Sequence, residues 1–300
     1  LTGNVAPSGS TIQSAADGKG VWMYRSANGI GTVNWTAAGL RWNYGADGVL
    51  DNENVEVRVY AVEMVYIPQG AYTLGGIGTE TNSFKDGSST NPFQVTSEAA
   101  ITAGTGAGEL NAAANFLASG TIPAAFPKGY NAFWIMKYEF SKQQYLDFLN
   151  TLDQNTANVR NAIGATGSVP AMIVTTPERA AEALSNIDLL TWLDWAAMRP
   201  FTEMEYEKAC RGVGVLPSPN EYAWGNTTLE QISTPSNIGL NNETWATGNC
   251  NYSSSAPMRC GALATATSDR TSSGGTYYGV MEMSGNEYEL CVQAGNAEGR

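Results

Sequence analysis

The sequence predicts a globular chain with β structure near its start, helices further on and much irregular backbone between them. Three observations carry this. Between residues 21 and 66, segments rich in β-branched and aromatic residues are separated by Asn-Gly, Asp-Gly and Gly-rich turns. Two later segments bear the Ser/Thr-x-x-Gln/Glu signature of a capped helix start, followed by apolar residues at helical spacing. The 300 residues are 43% hydrophobic, with 8 Trp and 14 Tyr, which is enough to build a sizeable core.

Taken in order, residues 1–19 are polar and show no strand of their own. GVWMYRSANG, LRWNYGADG and VEVRVYAVEMVYI follow as strand candidates. In the second, Leu40, Trp42 and Tyr44 alternate with Arg41 and Asn43, the period of a strand with one buried face. These segments define a small β-rich module over residues 1–61, expected to be incomplete at its beginning, ahead of a second domain over 62–300. From Gly75 to about Pro127 the composition turns to Gly, Ser, Thr and Ala, with short apolar pieces such as NPFQV and LNAAANFLA. The stretch at about 76–127 is therefore expected to be a surface excursion with little regular structure.

The helices are better marked. SKQQYLDFLNTL places Ser141 at an N-cap with Gln144 three residues on, and sets Tyr145, Phe148, Leu149 and Leu152 at helical spacing. RPFTEMEYEKACRG repeats the device: Thr202 caps, Glu205 answers it, Tyr206 and Cys210 share a face, and Gly212 stops the helix. IDLLTWLDWAAM is a third apolar-periodic segment. Past Gly212 turns dominate, with EYAWGN and the Ser-rich NYSSSAP between short strands.

A formal charge of -12 leaves no basic stripe for a phosphate backbone, so nucleic acid is not the expected partner. No run of about 18 apolar residues is present to span a bilayer, and no basic-then-apolar leader opens the chain. The start at Leu1 suggests a processed or partial chain. His is absent, which removes the usual general base, the usual zinc ligand and imidazole-based triads. Cys210, Cys250, Cys260 and Cys291 do not form paired C-x-x-C spacing; Cys250 and Cys260 are close enough to close a small loop, and four free buried thiols are the alternative. Low Lys content and abundant Asn, Thr, Ser and Gly lean toward a secreted or cell-surface protein. Asn-x-Ser/Thr acceptors stand at Asn34, Asn226, Asn242 and Asn251.

One stretch raises a question of its own. YYGVMEMSGNEYELCV crowds Glu282, Glu287 and Glu289 around a Ser-Gly-Asn turn, although like charges so close repel. A metal cradle, a catalytic site or a solvated acidic turn beside a half-buried strand each accounts for it.

Five motifs in order resemble the formylglycine-generating enzyme (sulfatase-modifying factor) family. They are MVYIPQGAYTLGG from Met64, FWIMKYEFSKQQYLDFLN from Phe133, LDWAAMRPFTEMEYEKACRG with Tyr206 where the family has Trp, YAWGN from Tyr222, and GVMEMSGNEYEL from Gly279. The resemblance implies an α+β domain on a C-type-lectin-like core with much irregular chain. It also implies calcium at Glu282, Gly285, Glu287 and Glu289, through two side-chain oxygens and two carbonyls, the all-oxygen donor set of a hard cation. A second family calcium site maps to Asn237 and Ile238, with further ligands expected around Asn249 to Tyr252, where the family's Asp is missing. Cys210 falls on a family disulfide position, for which Cys291 is the conceivable partner here.

The family's oxidases use a close cysteine pair that binds copper through soft thiolates, and no cysteine of this chain stands at the matching positions. The related iron-dependent branch needs His. The expected function is therefore a non-catalytic extracellular or cell-surface protein that binds a protein or glycan ligand, or copies of itself. The alternative is a copper-dependent formylglycine-generating oxidase whose cysteine pair lies beyond Arg300. Direct calcium-mediated sugar binding is a weaker option: no Glu-Pro-Asn-like triplet appears, and Trp224 and Trp245 are better read as core than as sugar-stacking platforms.

Overall fold

The computed structural model describes residues 3–16, 18, 20–27, 33–76, 80–113, 117–253 and 256–300. The chain divides into two compact units, Leu1–Ala61 and Val62–Arg300. The expected turn at Asn28 and Gly29, the middle of LNAAANFLA at residues 114–116, and residues 254–255 of the Ser-rich stretch lie outside the described residues.

The first unit holds an antiparallel hairpin of β1 (Ser10–Ser14) and β2 (Val21–Arg25), in register from Ser10 opposite Arg25 to Ser14 opposite Val21. The polar segment expected to lack a strand thus supplies one, because STIQS gains its ladder from the β-prone VWMYR. The strand expected at residues 40–48 is not formed. Tyr44–Asp47 is a short 3-10 turn, and Leu40, Trp42 and Tyr44 are exposed instead of sharing a buried face. Local bonds hold this arrangement: the Trp42 indole donates to Asp47 at 2.6 Å and the Tyr44 hydroxyl to Asp51 at 2.9 Å.

The second unit is α+β. β3 (Met64–Ile67) pairs antiparallel with β10 (Phe133–Met136), and β4 (Tyr72–Leu74) with β6 (Phe93–Val95). A four-stranded sheet orders β5 (Phe84–Asp86), β8 (Leu110–Ala112), β7 (Ile101–Ala103) and β9 (Gly120–Ile122), with β7 and β8 parallel. The Gly/Ser/Thr/Ala-rich stretch at 76–127 is therefore not a structureless excursion. Its three-residue strands bury Phe84, Phe93, Val95, Leu110 and Ile122, and the turn after them Phe126, against Tyr72, Leu74 and Met204 in one of the unit's cores. Each strand is too short to show a period, and the apolar residue it contributes reads as an isolated one in the sequence.

The expected helices form with their caps. α1 (Lys142–Leu149) starts at Ser141, whose hydroxyl accepts from the Gln144 N–H while the Gln144 side chain accepts from the Ser141 N–H. α4 (Glu203–Arg211) starts in the same way at Thr202 and Glu205 and ends at Gly212. Each such cap contributes about 1 kcal/mol. Two helices lie between them: α2 (Gln154–Arg160), capped by Asp153, and α3 (Asn186–Trp195), capped by Ser185 with Asp188. A second core gathers Tyr145, Phe148, Leu149, Ala157 and Trp192 around α1 to α3. A third joins Ile67, Ile135, Cys210, Ala223, Val280 and Met283, and carries the chain into the acidic turn.

Candidate metal centre at the acidic turn

The turn is fixed from two directions. The Met281 N–H bonds the Lys137 carbonyl at 2.8 Å, setting residues 280–283 beside the end of β10, and the Asn286 N–H bonds the Asn251 carbonyl at 2.7 Å. Between these anchors Glu282, Gly285 and Asn286 all take left-handed backbone (φ 61, 93 and 73), a conformation costly for a residue with a side chain. Gly285 is required there twice over. A Cβ on it would sit 2.3 Å from Cys250 Sγ and 2.9 Å from the Asn251 carbonyl oxygen.

Asn286 organises the interior of the turn. Its Oδ1 accepts from the Met258 N–H at 2.6 Å, and its Nδ2 donates to Glu139 Oε2. Glu139 also accepts from the Glu287 N–H at 3.0 Å. This fourth acid, from the stretch between β10 and α1, was not singled out by the sequence reading, and no local pattern marks it.

The acids are costly as they stand. Glu282 is buried; its Oε1 accepts from the Gly261 N–H at 2.7 Å, while its Oε2 is buried without a partner. Burial pushes its pKa up to about 7. Glu289 is pushed up to about 8, first by burial and then by the charges of Glu282 and Glu287. Glu139 is raised well above the carboxylate range, by burial and then by Glu282 and Glu289. Glu287 is raised by burial and by Glu182, with Lys142 opposing. Glu139 and Glu289 thus both feel Glu282, Glu289 also feels Glu287, and Glu287 in turn answers to Glu182 and Lys142.

Carboxylate and carbonyl oxygens are the donor type a hard cation takes. A partnerless buried carboxylate oxygen and neighbouring acids whose repulsion raises their pKa are what a divalent ion would relieve. A cavity of about 10 Å³, lined by residues including Glu282, Gly285 and Asn286, adjoins them. Among the described residues no three acidic or thiol side chains stand close enough to hold a metal by themselves. The implied set at Glu282, Gly285, Glu287 and Glu289 draws on two side chains, with carbonyls for the rest.

Around the second expected site, Asn237 and Ile238 stand in a local turn. Asn237 bonds the Asn242 carbonyl at 3.4 Å, and Ile238 is exposed. The buried Glu243 nearby is neutralised by Arg179 through Nε and Nη2. Asn249 turns to Glu230 and Thr228 instead.

All four cysteines are free thiols in this structure. Cys250 Sγ donates to the Ser284 carbonyl at 2.9 Å, while the Cys260 backbone is tied to Glu178. The Tyr206 hydroxyl donates to the Met283 carbonyl, and both Cys210 and Cys291 lie within electrostatic reach of it. Burial raises Cys250 to about 11 and Cys291 to about 12, and raises Cys210 and Cys260 further.

The remaining motif residues serve the scaffold. Arg199 forms a two-pronged pair with the buried Glu205 at 2.6 and 2.8 Å. The buried Lys208 donates to the carbonyls of Pro68, Gly129 and Tyr130. Trp224 is buried, stacked on Tyr222 and bonded to the Thr228 carbonyl.

The family model described as "Sulfatase-modifying factor enzyme 1-like domain" matches residues 52–298. No curated protein and no solved structure matches the chain. The chain belongs to the sulfatase-modifying factor family.

Proposed function

We propose that this domain is a non-catalytic binding or assembly module of a secreted or cell-surface protein, built on a C-type-lectin-like core, with calcium stapling its acidic turn. One observation carries the reading: several polar and aromatic side chains of the family motifs are engaged within the scaffold. Arg199 holds Glu205, Lys208 holds three carbonyls, Trp224 packs inward, and Asn286 ties Glu139 to the turn. In this reading Glu282 and Glu289 hold the ion with the carbonyls of Gly285 and Glu287. The ion's charge offsets the repulsion among the acids, and Glu139 orients the turn through Asn286.

The thiols support the same reading. Copper oxidation of a cysteine needs two neighbouring thiolates to hold a soft Cu(I) ion, whereas these four thiols are free and burial raises the pKa of each. The surface offers aromatic contacts to a protein or glycan, with Tyr252, Tyr277 and Tyr288 exposed. The family match favours a second reading, a copper-dependent formylglycine-generating oxidase, which would draw its cysteine pair from outside residues 1–300.

The two separate in one assay. The native protein, with any residues outside 1–300, is incubated with Cu(I), oxygen, a thiol reductant and a cysteine-containing peptide, and the peptide is followed by mass spectrometry. The binding reading expects the cysteine unchanged; conversion to formylglycine establishes the oxidase.

A further inference from the structure

Residues 55–59 of the first unit belong to no helix or strand, and among the described residues no strand pairs with them. Val55, Val57 and Val59 are 50%, 65% and 75% exposed. Among the described residues no backbone group of residues 55–59 makes a backbone hydrogen bond. Arg58 Nε donates to Glu56 Oε1 at 2.6 Å, a contact between positions two apart that places both charges on one face of an extended chain and the valines on the other. The segment has the residues and the alternation of a β-strand, and lacks a ladder. An open strand edge carrying an apolar face is what folded proteins ordinarily cover.

We infer that residues 55–59 form an edge strand that pairs antiparallel with the same segment of a second copy of this chain, about a two-fold axis through Val57. The charges select this register. With Val57 opposite its own copy, Val55 faces Val59, and Glu56 faces Arg58 twice over, so the valines form one apolar face and both charge pairs are attractive. Centring the pair on Glu56 or on Arg58 sets like charges opposite each other. A shift by one residue puts valines against charges. Parallel in-register pairing stacks Glu56 on Glu56 and Arg58 on Arg58. The strand's own sequence therefore complements itself in one arrangement.

This deepens the assembly reading by naming its partner as a second copy, and it lies in a different unit from the acidic turn. A monomeric protein would remove the self-pairing and leave the calcium-stapled, non-oxidising domain untouched.

Sedimentation velocity over a range of protein concentrations tests it, on the 300-residue chain and on variants at these exposed positions. The wild type is expected to dimerise reversibly, and Val57→Lys to weaken the dimer by at least about tenfold. Glu56→Arg and Arg58→Glu, each alone, are expected to be monomeric. Mixing those two variants should restore a dimer between them, and the double exchange Glu56→Arg/Arg58→Glu should dimerise by itself. A wild type that stays monomeric at every concentration overturns the inference, since the edge is then open or covered by another protein. So does a dimer indifferent to Val57→Lys, or a double exchange that remains monomeric.

Discussion

The Glu139 carboxylate receives the Asn286 side-chain amide and the neighbouring Glu287 N–H, tying the entry to α1 to an acidic turn 147 residues later in the chain. Asn286 also holds the Met258 N–H through its Oδ1 at 2.6 Å, so one side chain bridges three segments. Asn286→Ala is expected to destabilise the second unit by about 3 kcal/mol, because it strands a buried carboxylate oxygen and an N–H and places Ala at φ 73. Urea denaturation followed by Trp fluorescence reads the change.

The acids of the turn set a pH dependence with a definite sign. The folded protein holds protons on Glu282 up to about pH 7 and on Glu289 up to about pH 8, while the unfolded chain releases them near 4.5. The folded state thus binds more protons across that window, and its stability is full below about pH 4.5 and lost progressively up to pH 8. The calcium-free protein is expected to lose on the order of 1 kcal/mol per pH unit in the middle of the window. Glu282→Gln is expected to reduce the slope. Thermal melts at matched ionic strength between pH 5 and pH 8 measure both.

Gly285 and Cys250 are a coupled pair. Gly285→Ala is expected to cost about 3 kcal/mol, partly from the left-handed backbone and partly from the clash with Cys250 Sγ. In the double variant with Cys250→Ala the clash with Sγ is relieved, while the close approach to the Asn251 carbonyl and the backbone cost stay. A double-mutant cycle is therefore expected to give a coupling of about 1 kcal/mol or more.

Lys208 behaves as an internal clamp. Lys208→Met keeps most of the packing but leaves the carbonyls of Pro68, Gly129 and Tyr130 without their donor, for an expected loss of about 3 kcal/mol. Tyr288→Ala, at a side chain that is 96% exposed, is the matching control and is expected to stay within about 0.5 kcal/mol of the wild type. Chemical denaturation of the two variants side by side checks the contrast.

The parts legible in the sequence are those whose signals are local. Ser141 with Gln144 and Thr202 with Glu205 each state a helix start within four residues, and both caps form. α2 passed unread because its seven residues bury only Ala157. The sheet through residues 84–122 was illegible for a different reason. Leu110, Ile122 and Phe84 each sit in a strand of three residues, and only pairing between distant segments shows that they share a core. At the turn, the crowding of Glu282, Glu287 and Glu289 was plain in the sequence. Glu139 was not, since tertiary folding alone brings it there. Nor could the sequence show that Cys250 packs under Gly285 rather than reaching Cys260.

The most direct test of the calcium staple is a calorimetric titration of calcium into metal-stripped protein, repeated with Glu282→Gln, Glu289→Gln and Asn237→Ala. The account predicts binding by the wild type and by Asn237→Ala, and its loss in both Glu variants. A wild type that takes up no calcium, or binding that survives both Glu substitutions, would contradict it.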